Sequence, residues 1–279
     1  RRVNFDAAGN PIGDQENSIN EAKERSFALF GLGLSYKPTS LVEWYGNISQ
    51  NYRSITFSDV NIINPSNAVD PALNDENGFT IDIGARGNIN NYISYDVGVF
   101  GLFYKDRIGF LFTAIPPINN LGQLRTNIGD ARILGLESVL DVNLKKVFQI
   151  GEQLSLNYFI NTSVINSKYT NAITNGILGN KVEFVPEVNL KTGIRFGVKN
   201  FSSSLQYTYL SDQFSDAENS FSGDVSGIIG VIPSYHVLDF SAAYSYKFIK
   251  VETGINNVLN TNYFTRRATG YPGPGIIPS

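Results

Sequence analysis

Apolar and polar side chains alternate along most of the chain, and residues 187–198 ("EVNLKTGIRFGV") show the pattern clearly. Even-numbered positions carry apolar residues: Val188, Leu190, Ile194 and Phe196. Odd-numbered positions carry polar residues: Glu187, Asn189, Lys191 and Arg195. Below, residues of one strand are said to share a parity when their numbers are all even or all odd. A period of two is typical of a β-strand, because successive side chains point to opposite faces. This segment is therefore predicted to be a strand with one apolar and one polar face.

The same alternation recurs from end to end, as in "SLVEWYGNISQNYR", "NYISYDVGVFGLF", "ILGLESVLDVNLK", "QLSLNYFINTSV" and "HVLDFSAAYSYKF". It predicts about ten strands and no convincing amphipathic helix. Short connections are expected near residues 37–40, 88–91, 148–153, 199–201 and 248–251. Long polar loops are expected at roughly 54–76, 114–127, 166–182 and 211–234. Because short and long connections alternate, the chain is predicted to be all-β, an antiparallel up-and-down meander with its large loops at one end.

The meander favours a transmembrane β-barrel, because outer-membrane barrels combine short turns, long external loops and alternating strands. No second layer is available to cover so many apolar faces, so these are expected to meet lipid. The polar face, with Lys191 and Arg195, would line a water-containing lumen. Aromatic residues near strand ends would form interfacial girdles: Trp44, Tyr45, Tyr92, Tyr104, Tyr244 and Tyr246. The alternative is a soluble all-β domain that uses these aromatics as its core.

Composition narrows the function classes. Charged residues make up 17% of the chain, below the roughly 25% of average soluble domains. The net charge of −3 gives no electrostatic case for a nucleic-acid partner. The sequence has no cysteine, so a thiolate metal site is impossible. No run of about 18 apolar residues occurs, which argues against a membrane-spanning helix.

Four segments carry a resemblance to a known family: "LVEWYGNISQNYRSITFSDV", "VDPALNDENGFTIDIGARG", "NIGDARILGLESVLDV" and "GINNVLNTNYFTRRATGYPGPGIIPS". Together they resemble the carboxy-terminal barrel of TonB-dependent outer-membrane receptors, in particular the ferric-citrate and ferric-siderophore branch. The likeness runs over almost the whole chain. Its most specific part is the penultimate-strand motif, whose places are occupied by Gly254, Asn257, Leu259, Asn260 and Tyr263.

The resemblance implies that residues 1–279 are the C-terminal part of a larger plugged barrel, contributing about ten of some 22 strands. The plug domain, the TonB box and the final strand are expected to lie outside this chain. The implied protein sits among the lipids of the outer membrane of a Gram-negative bacterium. It binds and imports a scarce solute, which the resemblance implies to be ferric citrate or a ferric siderophore, and the TonB–ExbB–ExbD complex energises it through the plug. No enzyme activity and no cofactor are implied.

Candidate ligand-binding residues lie at the long-loop end. Arg266 and Arg267 precede the "GYPGPG" loop, which contains Tyr271, and paired guanidiniums can receive an anionic chelate through charge-assisted hydrogen bonds. Tyr52 and Arg53 end a strand on the same side, with Arg53 on the lumen parity. The alternatives are that the arginines are solvated, pack within the lumen, or pair with the plug.

The acidic loops and the single histidine raise two other chemistries. The acidic loops "NAVDPALNDEN" and "SDQFSDAENSFSGDVSG" do not match the spacing of a calcium loop, so no metal site is expected. His236, the only histidine, shares a parity with Ser234 and lies near Asp239, which leaves an outer-membrane barrel hydrolase as an alternative function. No nucleophile motif accompanies it, and a structural histidine is favoured. A passive porin is the third possibility.

Overall fold

The computed structural model describes residues 4–5, 11–12, 26–60, 68–115, 120–223, 227, 229–267 and 276–278. Within them, ten antiparallel strands form a meander in which each strand pairs with the next along the chain. The strands are β1 Gly31–Thr39, β2 Val42–Arg53, β3 Glu76–Ile89, β4 Ile93–Ile115, β5 Asn120–Asn143, β6 Leu154–Ala172, β7 Val188–Val198, β8 Phe201–Leu210, β9 Tyr235–Tyr246 and β10 Ile249–Ile255.

One short strand adds to this sheet, and three short pairs lie outside it. Ala68–Val69 runs parallel to β5, and three short antiparallel pairs join Asn4–Phe5 to Pro11–Ile12, Gln213–Phe214 to Val231–Ile232, and Phe264–Arg267 to Ile276–Pro278. Two one-turn helices are α1 Phe57–Val60 and α2 Leu144–Val147. In the part of the chain that the structure describes, no helix is long and apolar enough to cross a membrane.

The alternation of tight and long connections is confirmed except between β4 and β5, where only residues 116–119 join the two strands. Strands β1–β2, β3–β4, β7–β8 and β9–β10 are joined by two or three residues, and α2 lies in the turn between β5 and β6. Asn90 and Asn91 adopt φ values of 48° and 56° in the β3–β4 turn. Such paired positive φ values match the right-handed twist of the strands that a tight hairpin joins, and asparagine tolerates them. The described residues of the longer connections, 54–60, 70–75, 173–187 and 211–223, lie at the opposite end.

The predicted loop at 114–127 is wrong. Strand β4 continues to Ile115 and β5 begins at Asn120, so most of this region is a hairpin with a regular ladder, including the pair Leu111 and Leu124. Strand β6 likewise continues to Ala172, into the predicted loop at 166–182. Backbone pairing between long neighbouring strands extends past the length that a bilayer needs, and the sequence alternation in "RIGFLFTA" extends with it.

The strand register joins the apolar positions of separate strands into one face. One row of paired residues crosses six strands, and another crosses the last four. The first row is Gly46, Ile83, Val99, Leu136, Val164 and Val188, and the second is Ile194, Leu205, Phe240 and Ile255. Val99, Ile83 and Val164 are each more than half exposed, so no second layer covers this face. The soluble-core alternative requires such a layer.

The opposite face is a hydrogen-bonded polar surface. The Tyr45 hydroxyl donates to Asp96 at 2.7 Å, and the Asn47 amide donates to Asp82 at 3.0 Å. Further along the same face, Arg195 forms an ion pair with Asp141. Since Glu43, Arg86 and Lys191 share this parity, the polar positions of the sequence lie together, as the barrel prediction requires.

The predicted aromatic girdle is partly wrong. Trp44, Tyr244 and Tyr246 are exposed on the apolar face near the tight turns. Tyr45 instead lies on the polar face, where its hydroxyl has a carboxylate acceptor. Tyr104 packs against a buried cluster beyond the membrane-crossing segments of the strands. Tyr45 and Tyr104 both lie on the polar face because their positions alternate with the apolar ones of their strands. The position in a strand determines the face, whatever the side chain.

The first prediction concerns depth on the apolar face. Ile194 lies near the middle of β7 and is 45% exposed, whereas Leu190 lies toward its loop end. Replacing Ile194 with Arg should reduce the free energy of unfolding in lipid by about 2–4 kcal/mol, and Leu190→Arg by about 0–1 kcal/mol, because the cost of a charge falls toward the interface.

The matched control is Asn189→Arg, which introduces the same side chain on the polar face of the same strand. It should leave the unfolding free energy nearly unchanged. Equal costs for Asn189→Arg and Ile194→Arg, measured by denaturant unfolding in phospholipid vesicles, would contradict the assignment of the faces.

Candidate functional site

A buried cluster fixes the loops beyond the ends of the membrane-crossing segments. Strands β4, β5 and β6 project past the rest of the sheet, and the loops 173–187 and 211–223 fold onto the polar-face side of this projection. The buried members are Leu111, Ile128, Ala131, Tyr169, Ile177, Val182 and Ala217. Ile128, Ile177 and Val182 are fully buried. The loops therefore have an apolar core of their own and a defined position above the lumen face.

A partly buried ion pair anchors the loop 173–187 to β4. Arg107 donates to one carboxylate oxygen of Glu183 at 3.0 Å, and the Tyr169 hydroxyl donates to the other at 2.7 Å. Burial, reinforced by the charge of Glu183, raises the pKa of Tyr169 far above its usual value. Tyr169 therefore stays neutral and keeps donating its proton to Glu183 at any physiological pH.

A second charged cluster fixes the first long loop. Asp59, in α1, is 2% exposed and accepts hydrogen bonds from Arg53 at 2.8 and 3.0 Å and from Arg125 at 3.1 Å. Thr56, three residues earlier, donates to Asp59 through its backbone N–H at 2.9 Å and its hydroxyl at 2.7 Å. The two guanidiniums come from β2 and β5, so the carboxylate joins the loop to two separate strands.

The electrostatics of Asp59 favour its charged form. Burial alone raises the pKa of this carboxyl, but the hydrogen bonds from Thr56, Arg125 and Arg53 outweigh burial and hold the pKa well below its usual range. A carboxyl whose folded pKa lies below its unfolded value of about 3.9 contributes its full stabilisation above that value and loses it as the pH falls toward the folded pKa. The cluster is therefore intact throughout neutral and mildly acidic conditions.

Two of the predicted ligand-binding residues are engaged with the first long loop. Arg53 contacts Asp59 and also lies 3.6 Å from the carboxylate of Glu76. The Tyr52 hydroxyl donates a short hydrogen bond to Asp75, whose other oxygen accepts from the backbone N–H of Ile55 at 2.9 Å. The structure thus gives both side chains a role in holding residues 55–60 and 75–76 at the mouth.

The paired arginines near the end of the described chain have different surroundings. Arg267 donates to the carbonyl oxygen of Val231 from Nε at 3.2 Å and from Nη2 at 2.7 Å, which joins the strand Phe264–Arg267 to the loop 211–234. Arg266 is exposed, and no residue in the described ranges forms an ion pair or hydrogen bond with its side chain. Tyr271 lies outside the described residues.

The structure does not bring the candidates into a single cluster. Arg53 ends the second strand of the sheet, and Arg266 follows the tenth, so eight strand spacings, about 40 Å along the sheet, separate them. They belong to opposite flanks of the same mouth. Sequence reasoning missed Asp59 and Arg125. The spacing of Thr56 and Asp59 is a signal for a helix start that could have identified the first of them.

The hydrolase alternative finds no support in the geometry. His236 lies on the apolar face, where its ring stacks near Tyr207 with a centroid separation of 6.1 Å. Asp239 has the opposite parity and accepts a hydrogen bond from the backbone N–H of Asn257 at 2.9 Å. A histidine and a carboxylate on opposite faces of a strand cannot act as a pair. Among the described residues, no three acidic or histidine side chains converge on a possible metal position.

The two-faced meander, its tight turns at one end and its packed loops at the other define part of an outer-membrane-type β-barrel. A sequence profile described as "TonB dependent receptor-like, beta-barrel" matches residues 2–258. The chain therefore belongs to the TonB-dependent receptor β-barrel family, whose members reside in the outer membrane of Gram-negative bacteria.

Solved structures with the same fold include the unliganded ferric citrate transporter FecA, at 18% identity, with a TM-score of 0.69 over 90% of this chain and 36% of that one. The ferric yersiniabactin receptor FyuA from Yersinia pestis shares 17% identity, with a TM-score of 0.63 over 89% of this chain and 34% of that one. The copper transporter OprC shares 14% identity, with a TM-score of 0.65 over 89% and 37%. The chain thus spans little more than a third of each.

The second prediction concerns Asp59. The change Asp59→Asn leaves Arg53 and Arg125 without their shared counter-charge, so residues 54–60 should lose protection from hydrogen exchange at pH 7. In the unchanged protein, this protection should persist as the pH falls to about 4 and decline only below it, because protonation removes the charge. At this low pH, hydrogen exchange of residues 54–60 should be as fast as in the Asp59→Asn variant.

Asp212→Asn is the matched control, since Asp212 is an exposed carboxylate in another external loop. This change should leave the protection of residues 54–60 unaltered at every pH. If Asp59→Asn retains full protection at pH 7, the charge cluster does not hold this loop.

Proposed function

We propose that this chain forms part of the barrel of an outer-membrane receptor that binds and imports a ferric chelate, either ferric citrate or a siderophore. In this proposal, residues 1–279 are the C-terminal part of a larger plugged barrel. The TonB–ExbB–ExbD complex energises transport through the plug. Family membership supports the transport role, and FecA and FyuA, named for ferric citrate and ferric yersiniabactin, support the iron chelate. OprC, named for copper, shares the fold equally well, so the fold alone does not choose the metal.

One observation carries the proposal: loops with their own buried core cover the loop end of a polar strand face. Such a mouth has the rigidity to present side chains to a solute entering from outside. Arg267 is fixed to Val231, and its neighbour Arg266 points to the other side of the same short strand with its guanidinium unpaired by described residues. An anionic chelate would gain charge-assisted hydrogen bonds there, each contributing about 1.5–3 kcal/mol.

The other candidate residues take complementary parts. Arg53 and Tyr52 hold the first long loop on the opposite flank, so we assign them to shaping the binding surface from that side. Tyr271 follows Arg266 in the chain, and we assign its ring and hydroxyl to contact with the same ligand. No bond is made or broken in this function, and hence no enzyme activity is proposed.

A passive porin would use the same fold without an energy source. The two functions differ in whether uptake depends on the proton-motive force, which an uncoupler abolishes. In cells that express the full-length receptor, accumulation of iron from ferric citrate or a ferric siderophore at nanomolar concentration should stop on uncoupling. Uptake that continues unchanged would favour the porin.

The third prediction separates ligand binding from loop support. In the full-length receptor, Arg266→Glu should weaken binding of the preferred ferric chelate by about tenfold or more while leaving the yield of folded protein unchanged. Arg267→Glu should lower the folded yield, because it removes the donors to Val231. Affinity is measured by isothermal titration with ferric citrate and with a ferric siderophore.

Lys199→Glu is the control, since it makes the same charge change in the tight turn between β7 and β8, at the other end of the barrel. It should affect neither quantity. Wild-type affinity in well-folded Arg266→Glu would remove Arg266 from the site, and a wild-type receptor that binds neither chelate would overturn the choice of iron.

A further inference from the structure

Asparagine is followed by glycine at two places in the chain, Asn77–Gly78 and Asn175–Gly176. In this dipeptide the backbone nitrogen after asparagine is unusually accessible to the asparagine side chain, because glycine has no Cβ to shield it. Both asparagine side chains are exposed. Exposure therefore does not distinguish the two sites, and the backbone around each decides whether nitrogen and side chain can meet.

The dipeptide Asn77–Gly78 is locked inside the sheet. Gly78 pairs with Asn51 on β2 and with Tyr104 on β4, so it has a neighbouring strand on both sides. A Cβ at Gly78 would overlap the carbonyl oxygen of Phe103, which shows how closely the strands approach here. Rotation of the peptide group between Asn77 and Gly78 would break this pairing.

The dipeptide Asn175–Gly176 lies instead at the centre of a turn in the loop 173–187. The Ile177 N–H donates to the carbonyl oxygen of Thr174 at 3.2 Å and closes the turn, and the Asn180 amide donates to the carbonyl oxygen of Gly176 at 2.8 Å. The peptide group between Asn175 and Gly176 forms no hydrogen bond with any residue in the described ranges. It can therefore rotate while the bonds around it remain in place.

Open space surrounds the nitrogen of Gly176. A Cβ at this position would have no heavy atom within 4 Å beyond the two chain neighbours, and the φ of Gly176 lies outside the left-handed region. Nothing in the loop therefore blocks the approach of this nitrogen to the Asn175 side chain. For the same reason alanine can replace Gly176 without backbone strain.

We propose that Asn175 is a site of spontaneous deamidation, in which water converts the side-chain amide to a carboxylate and ammonia is released. The Gly176 nitrogen loses its proton to water and bonds to Cγ of Asn175. The Cγ–Nδ2 bond then breaks, and ammonia leaves with a proton in place of the one that was lost. Water opens the resulting five-membered succinimide at either carbonyl carbon. Opening at Cγ gives aspartate, and opening at the backbone carbonyl carbon gives isoaspartate, whose main chain runs through the former side chain.

The two products affect the loop differently. Each adds a negative charge at an exposed position, but only isoaspartate adds a carbon atom to the main chain. This lengthening falls inside the turn that the Ile177 N–H closes, and the Ile177 side chain is fully buried in the loop core. Isoaspartate should therefore weaken the attachment of the loop to its core, whereas aspartate should not. The reaction depends on the loop alone and is independent of the transported solute.

The experiment follows the full-length receptor, purified in a non-ionic detergent and stored for several weeks at physiological temperature and pH. Mass spectrometry of proteolytic peptides measures the converted fraction of each asparagine, and electron-transfer fragmentation separates isoaspartate from aspartate. Asn175 should be converted about a hundredfold or more faster than Asn77, because a paired strand inside a sheet opens only rarely.

Two variants test the chemistry. Gly176→Ala should slow the conversion of Asn175 by about tenfold or more, because a methyl group hinders the attacking nitrogen. Asn175→Gln should remain an amide, because its longer side chain would have to close a less favourable six-membered ring. Folding of both variants is checked by heat-dependent mobility in gel electrophoresis.

Hydrogen exchange tests the effect on the loop. In the fraction converted to isoaspartate, the amides of Ile177, Gly179 and Asn180, which are hydrogen-bonded in the loop, should exchange roughly two- to tenfold faster than in fresh receptor. The matched control is Asn175→Asp, which carries the same charge on a normal main chain. It should exchange as the fresh receptor does.

Three results would overturn the deamidation site. They are equal conversion rates at Asn175 and Asn77, unchanged conversion in Gly176→Ala, and an Asn175 that stays intact in the folded receptor but reacts once the receptor is unfolded in denaturant. Unaltered exchange of the three amides in the isoaspartate form would overturn the proposed weakening of the loop.

Discussion

The need to satisfy backbone hydrogen bonds in hydrocarbon governs this structure. Lipid offers neither donors nor acceptors, so each N–H and C=O in the membrane must pair within the protein, and an unpaired group costs several kcal/mol. The ten-strand ladder meets this demand from β2 to β9 on both sides of each strand. Because this pairing keeps a strict register, alternate positions of every strand lie on opposite faces of the sheet. Val99 and Val164 therefore share one surface although they are far apart in sequence. The outer edges of β1 and β10 would need further strands.

The same ladder explains where a site can form. Because the membrane-crossing segments are committed to pairing, variation is confined to the ends of the strands, and β4, β5 and β6 use this freedom to project beyond their neighbours. The projection supplies Ile128 and Tyr169 to a loop core, and β2 and β5 supply Arg53 and Arg125 to Asp59. Charged side chains that would be costly within the bilayer thus lie beyond it, where their ion pairs hold the loops of the mouth in place. The arginine left unpaired by described residues, Arg266, is the one proposed to meet the ligand.

The sequence predicted the membrane-crossing part well, because a single rule, alternation with a period of two, determines both the strand and its face. It placed Glu43 and Lys191 on one side and Trp44 and Ile194 on the other, as the structure does. It failed where contacts are not periodic. The region 114–127 reads as a polar loop, yet pairing between distant segments makes it a hairpin. Arg107 and Glu183 are 76 positions apart, and nothing local marks them as partners. The apolar residues Ile177 and Val182 within a supposed polar loop were the available sign of a loop core.

The central claim is that adjacent residues of a strand face different solvents, and spin labelling measures this directly. The chain contains no cysteine, so single cysteines can be placed from Val97 to Phe103 in β4 for attachment of a nitroxide. In vesicles, collision with oxygen should be frequent at Val97, Val99, Gly101 and Phe103, and collision with a water-soluble nickel chelate should be frequent at Gly98, Phe100 and Leu102. This two-residue alternation is the predicted result. Uniform accessibility along the segment, or oxygen access on the opposite parity, would contradict the account.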